Sequence, residues 1–403
     1  MPNNPAEPPA ERSYRLAILA ESPIPYHVCL YRSLAAHPNL DVTVFFLSDL
    51  GLSGRKDAGF GIRLYWGLPL LTGFRYRFVP NFSLHRTNGA FFSLINPGVL
   101  TLLFQKRYDA VLIPGYAYAS YVMGFLSAWI SKTPILFRGE TVLRPGSLRG
   151  WKGWAKKRLL RAVRTRGAFL AIGNSSRRFY RALGAPEDRT FFSPYAVDND
   201  FFERECRRWR PRRAEEKRRL GVDPGLPVVL FCGKLTPRKR PDDLLEAFLG
   251  LKHPAALVFA GEGSLHHQLA RRASGNKNVL LAGFVLHSDI PKYYALADIF
   301  VLPSTEAEGS PLTINEAMAC GLPLIVSEAI PSAPEFVREG ENGFLFRLGD
   351  VHSLRALLDL LLADEGLRKR LGEESFRKIQ AWSLRESVAG ILKALQRTAS
   401  LCE

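Results

Sequence analysis

The feature that most constrains this chain is a pattern written twice: short apolar runs, each followed by a segment with helical spacing. In the first run, residues 14–20 (YRLAILA) read as a strand and 21–27 (ESPIPYH) as a loop. Residues 28–36 read as a helix and 41–47 (DVTVFFL) as a second strand. RYRFV, DAVLI, PILF and GAFLAIG give further strand signals. The pattern restarts near residue 227. PVVLFCG, AALVFAGEG, NVLLAGF, DIFVLP and LPLIVS alternate with helices expected over 241–251, 264–273, 290–297 and 313–319, and helices run on to the end. Strands apolar on both faces and joined by helices bury themselves in a parallel sheet covered on both sides, so two doubly wound α/β domains are expected.

The 403 residues suit two domains. The expected division is a disordered lead-in over 1–13, a first domain over 14–200, a linker region over 201–226, a second domain over 227–380, and a C-terminal helix over 381–403 packing back on the first domain. The longest uncharged run, 110–130, is long enough to cross a bilayer. Pro114-Gly115 and the alternating Tyr116, Tyr118 and Tyr121 instead divide it into a buried strand, a turn and a buried helix. Residues 1–12 are proline-rich and polar, so no secretory leader is expected there. The five cysteines lie far apart, which suggests neither a disulfide framework nor a zinc site and points to a reducing, cytoplasmic setting.

Charge is distributed unevenly. Residues 1–220 hold 35 Lys and Arg against 16 Asp and Glu, while 221–403 hold 20 against 22. The excess is densest over 144–219, with 22 basic residues against 8 acidic. Such asymmetry implies a polyanionic partner, either a nucleic acid or an anionic membrane surface. On one expected helix Trp151 and Trp154 alternate with Lys152, Lys156, Lys157, Arg158, Arg161, Arg164 and Arg166, as on helices that lie in a membrane interface.

In open α/β sheets ligands collect where strands end and helices begin. The strand VVLFCG exits into Gly233-Lys234-Leu235-Thr236-Pro237-Arg238-Lys239-Arg240, a glycine turn and several cations ahead of a helix, which suits a diphosphate or forms an exposed basic loop. ALVFA exits into Gly261-Glu262-Gly263, whose glycines would let backbone approach a ligand. DIFVLP exits through Glu308 and Gly309 into a helix carrying Glu316. Carboxylates beside a phosphate would repel it, so these two suit sugar hydroxyls, or act as solvated or capping glutamates. A nucleotide sugar presents both kinds of group.

The ordered pieces GKLTPRKRPDDLLEAF, AGEGS, GFV, IPKYYALADIFVLPS, EGSPLTINEAMACGLPLIVS, PEFV and ENGFLF resemble the retaining glycosyltransferases of family 4 (glycosyl transferases group 1). The resemblance is tight over 227–350 and loose elsewhere. It implies the GT-B architecture, two Rossmann-like domains facing across a cleft, and transfer of a sugar from a nucleotide diphosphate with retained configuration. It assigns Lys234 and Lys239 to the donor diphosphate, with Lys234 where the family usually has arginine. Gly233, Glu262 and Val285 join the donor-binding set, Phe284 and Val285 falling where members border the nucleobase. Backbone amides over Gly309, Ser310, Pro311, Leu312 and Thr313 would contact sugar and phosphate. Glu308 would lie near the transferred sugar and Glu316 would hold the ribose hydroxyls. On the acceptor side the usual glycine pair and histidine are replaced, leaving His27 and Glu140 as candidates for catalysis beside Glu308, and Arg138 for an acceptor phosphate. Asp198-Asn199-Asp200 is similar to the metal motif of the other glycosyltransferase architecture but sits in the interdomain pattern, so no metal and no cofactor beyond the donor substrate is expected. A lipid-linked or other glycan acceptor at the inner membrane face, in cell-surface polysaccharide synthesis, follows from the basic first half, with no nucleic acid expected. Two other classes stay open: a basic nucleic-acid-binding protein and an inactive scaffold of the same fold. Saturable nucleotide-sugar binding without metal separates the enzyme from both.

Overall fold

The computed structural model describes residues 12–50, 52, 66–84, 89–105, 108–144 and 146–401, so most of the expected lead-in lies outside the described residues. Two parallel sheets account for the repeated pattern. The first has β1 (Tyr14–Ala20), β2 (Leu40–Phe46), β3 (Arg75–Phe78), β4 (Ala110–Ile113), β5 (Ile135–Phe137), β6 (Ala168–Ala171) and β7 (Thr190–Phe192), in the order β3-β2-β1-β4-β5-β6-β7. The second has β8 (Val228–Cys232), β9 (Ala256–Ala260), β10 (Val279–Leu281), β11 (Ile299–Leu302), β12 (Leu324–Ser327) and β13 (Gly343–Phe346), in the order β10-β9-β8-β11-β12-β13. The central strands are buried along their whole length, which is why they read as unbroken apolar runs.

Helices cover both faces of the first sheet and divide its core in two. One cluster gathers Leu19, Val111, Phe137, Phe169 and Tyr180; the other gathers Leu16, Val44, Leu112 and Leu170. The second cluster also takes in Val388, Ile391, Ala394 and Leu395 from the last helix, Leu384–Ala399, so the end of the chain belongs to the first domain. Gly390 is needed there: a Cβ would stand 1.9 Å from the Phe192 carbonyl oxygen.

The stretch 201–226, expected as a linker, is helical as far as Arg219 and packs on the second domain. The helix Asn199–Trp209 buries Phe202 and Cys206 in that domain's core, with the Cys206 and Cys320 sulfurs 2.6 Å apart. Its charged residues face solvent on the opposite side, which is why the sequence reads as a hydrophilic connector. The chain therefore crosses between domains just before Asn199 and returns near Trp382. The Asn199 side-chain amide joins the two crossings by donating to the Ile379 and Trp382 carbonyls.

Candidate functional site at the facing strand ends

The strand order of the second sheet reverses between β8 and β11, and the exits of these strands form a crevice that in open α/β sheets takes ligands. The two exits are tied together where the Thr305 amide donates to the Arg238 carbonyl at 2.9 Å. Lys239 closes a short turn, Pro237–Lys239, that directs its side chain inward. It is 6% exposed, and its Nζ lies 3.1 Å from Glu308 Oε2; Arg238 Nη2 reaches the same oxygen at 3.4 Å. Burial pulls the Lys239 pKa down and the Glu308 carboxylate opposes that pull. Gly233 adjoins the ammonium: a Cβ there would stand 3.7 Å from Nζ. A buried cation kept charged by one carboxylate is suited to receive a second anion.

Glu316 projects from the helix Leu312–Ala319 and is 1% exposed. Its Oε2 accepts the Tyr294 hydroxyl at 2.6 Å, while Oε1 has no hydrogen-bond partner. The Tyr26 phenol of the first domain lies beside it, close enough to interact electrostatically but without aligned hydrogen-bond geometry at Oε1. Burial pushes the Glu316 carboxyl up to about 7, and the tyrosines and Lys239 only partly offset it. Ser304 Oγ and Thr313 Oγ1 are also buried without partners, so orphaned polar atoms collect along the same strand exit and helix start. Lys239, Glu308 and Glu316 thus share one crevice, beside a helix whose first amides have no side-chain cap.

The first domain contributes residues from its own strand exits. Glu140 crosses the cleft and accepts the Ser310 amide at 2.9 Å. Gly309 permits this approach, since a Cβ would stand 2.3 Å from Glu140 Oε1. Desolvation raises the Glu140 pKa, with the Ser310 amide pulling against it and Glu308 adding to the rise. His27, in the first turn of the helix Pro25–Ala35, sits between Tyr31 and Tyr195. Burial, helped by Arg138, pushes its pKa down to about 4, so the ring is neutral at physiological pH.

Arg138 corrects an expectation. Its Nε donates to the Ser193 carbonyl at 3.2 Å, and its Nη2 to the Pro194 carbonyl at 2.5 Å and to Ser387 Oγ at 2.9 Å; its plane lies 4.7 Å from the Tyr195 ring centre. The guanidinium is 6% exposed and joins β5 to the interdomain crossing and the last helix, so it does not face the cleft as a ligand for an acceptor phosphate. Gly261 and Gly263 have a packing role. Added Cβ atoms would stand 1.9 Å from the Gly233 carbonyl oxygen and 2.4 Å from that of Leu235, so their smallness serves the packing of two strand exits. Between them Glu262 holds His266 Nδ1 at 3.1 Å and accepts the Gly263 amide at 3.2 Å. Lys234 is half-buried at the β8 exit, Val285 packs against the second core, and Phe284 meets Trp66 of the first domain edge-on at 6.3 Å. Asp198 caps the helix Asn199–Trp209 by accepting the Phe201 amide at 2.9 Å, which accounts for the metal-like triplet.

Sequence reasoning passed over Tyr26 and Tyr294. Tyr26 stands in the first turn of the helix that follows the first strand's exit, a place that does mark it as a position to inspect. Nothing local reveals that it reaches the second domain's Glu316.

Comparisons with known proteins agree with this geometry. Residues 212–378 match the model of a family described as glycosyl transferases group 1. Among curated relatives, the putative glycosyltransferase EpsD of Bacillus subtilis is 32% identical over 177 residues, 41% of this chain and 45% of that protein. The GDP-mannose-dependent monoacylated alpha-(1-6)-phosphatidylinositol monomannoside mannosyltransferase of Corynebacterium glutamicum is 30% identical over 240 residues, 55% of this chain and 60% of that one. The chain spans less than two thirds of the length of either. Among solved structures, Anabaena Alr3699/HepE in complex with UDP superposes with a TM-score of 0.72 at 18% identity, covering 95% of this chain and 100% of that one. Sucrose-phosphate synthase from Thermosynechococcus elongatus gives 0.71 at 17%, covering 97% and 100%. The fold is therefore GT-B: two Rossmann-like domains across a cleft.

Proposed function

We propose, from the match of residues 212–378 to the model of glycosyl transferases group 1, that this protein moves a sugar from a nucleotide-diphosphate donor to an acceptor, retaining its anomeric configuration. The observation that carries the reading is the gathering of Lys239, Glu308 and Glu316 at the β8/β11 crevice. In this reading Lys239 and the backbone N–H groups of Gly309, Ser310, Leu312 and Thr313 hold the diphosphate. The charge that grows on it as the glycosidic bond breaks meets a cation and helix dipole already oriented toward it, an arrangement that commonly contributes several kcal/mol. Glu316 accepts two ribose hydroxyls, which gives Oε1 the donor it lacks. Glu308 turns from Lys239 toward the transferred sugar, and no metal is needed. With its ring neutral, His27 can hydrogen-bond an acceptor hydroxyl, and Glu140, released from Ser310 by the donor, faces the same space. Solved neighbours bound to UDP and to UDP-glucose support a nucleotide-sugar donor.

The acceptor in this reading is lipid-linked and met at an anionic membrane surface, on the cytoplasmic side, in the synthesis of surface polysaccharide. The helix Gly150–Leu159 exposes Trp151 by 75% and Trp154 by 67% among its lysines, and the corynebacterial relative is named for a phosphatidylinositol-linked acceptor. No helix among the described residues is long and apolar enough to cross a membrane, so attachment would be peripheral. Calorimetric titration of a nucleotide-sugar panel in the presence of a chelator tests the donor site. Saturable binding by the wild type that is lost in Lys239→Ala supports it, and no binding by any member refutes it.

A further inference from the structure

Among the matched segments that the donor pocket leaves without a role is PEFV, residues 334–337, most of which lies in the short helix Ala333–Phe336 after β12. Its Glu335 lies in the second domain, yet the carboxylate accepts backbone amides of the first. Oε2 takes Asn174 N at 2.7 Å and Oε1 takes Ser175 N at 3.3 Å, both in the first turn of the helix Asn174–Ala182. Ser175 Oγ reinforces the contact by donating to the Pro331 carbonyl at 3.2 Å. Glycine at position 173 brings no side chain to cap this helix, so the carboxylate that satisfies its first amides comes from across the cleft.

Gly173 is shaped for this contact. Its backbone is extended, with φ 175° and ψ −177°, which any residue adopts. The three atoms nearest an added Cβ all belong to Glu335: Oε2 at 2.6 Å, Oε1 at 3.0 Å and Cδ at 3.1 Å. The arrangement mirrors that of Glu140, which comes from the first domain to the Ser310 amide, and both carboxylates line one narrow cavity together with Trp382. The two differ in what surrounds them. Ser310 is among the amides the donor would use, so Glu140 must yield to it, whereas Glu335 stands beside Trp382 at the interdomain crossing and holds Asn174 and Ser175 amides that the donor does not need.

We propose that Glu335 is a positioning residue: it caps a helix of the opposite domain and holds the cleft closed on its hinge side, fixing the distance at which His27 and Glu140 face the donor pocket. Its catalytic consequence rests on the glycosyl-transfer reading; its effect on closure does not.

Two readouts separate these. In small-angle scattering without substrate, Glu335→Gln and Gly173→Ala each enlarge the radius of gyration. With donor and acceptor, each lowers kcat about fivefold or more while nucleotide affinity changes less than about twofold, in line with loss of a charged helix cap. In a Glu335→Ala chain, adding Gly173→Ala has no further effect, because the atoms it would strike are gone. Wild-type scattering from Glu335→Gln overturns the proposal, as does a Gly173→Ala effect that persists in full without Glu335. The isosteric Glu335→Gln decides the matter should Gly173→Ala not fold. A chain that binds no nucleotide sugar sinks the functional reading and leaves the scattering and the double variant to judge the latch.

Discussion

At the reversal of strand order in the second sheet, three ionisable side chains gather, Lys239 and Glu316 buried and Glu308 half-buried. At the matching reversal in the first sheet, between β1 and β4, stands one carboxyl, Glu21, whose pKa burial raises against a hydrogen bond from Tyr118. The nearby cation, Arg138, is turned away into the domain seam. The surfaces differ in the opposite sense. Of the 17 exposed large hydrophobic residues among those described, 14 lie before residue 200, and so does nearly all the excess positive charge. One domain gathers three charges at its crevice and balances the rest; the other displays cations and aromatics outward. In the function proposed above, a fold used twice serves a small charged ligand on one side and an extended anionic surface on the other.

The sharpest way to break this contrast is to empty the second crevice. Lys239→Ala lowers transfer at least about tenfold, since it removes a charge-assisted contact and leaves Glu308 without its nearest buried cation. Assays at saturating and at limiting donor measure it; wild-type turnover would end the assignment. The same truncation in the first domain has a different consequence. Arg138→Ala leaves the buried Ser193 carbonyl without its donor, while Ser387 Oγ still reaches the Pro194 carbonyl, and costs about 1–3 kcal/mol of stability. Chemical denaturation should register that loss while calorimetry finds donor affinity unchanged. Replacing Trp151 and Trp154 together by alanine weakens flotation with anionic vesicles about tenfold, and raised salt weakens the remainder; equal flotation by wild type and variant would place the contact elsewhere.

The mildest effect is on pH. Burial favours protonated Glu316, with a pKa of about 7, while two ribose hydroxyls require the carboxylate, so donor binding expels a proton. Affinity therefore falls as pH drops below 7, by several-fold between pH 7.5 and 6. His27, at about 4, stays neutral throughout that window and contributes nothing to the slope. Titrations across the range give the slope, and Glu316→Gln should flatten it.

The meeting of Lys239 and Glu308 is legible because these residues follow their strands directly: Lys239 seven positions after Cys232, Glu308 six after Leu302. A strand exit fixes where such residues lie before any tertiary contact is known. Arg138 occupies an exit too and was misjudged, because its partners Ser193 and Ser387 are distant in sequence and only packing brings them near. Glu335 and Tyr26 fail to announce themselves for the same reason, since each acts on the opposite domain. The 201–226 stretch misled through composition: Phe202 and Cys206 are few among many arginines, yet they decide which core the helix joins. Gly261 and Gly263 are legible as glycines and illegible as to purpose, because close approach to a carbonyl and close approach to a ligand ask the same thing of a residue.

The last helix, folded back onto the first sheet, has a consequence for how this protein can be taken apart. Because the backbone passes from one lobe to the other and then home again, no single cut yields two intact lobes: a chain stopped before residue 384 would bare the apolar side of β5 to β7. Two strands of covalent tether lying side by side also restrict the lobes to rocking about the line that joins them, as a door turns on paired pins.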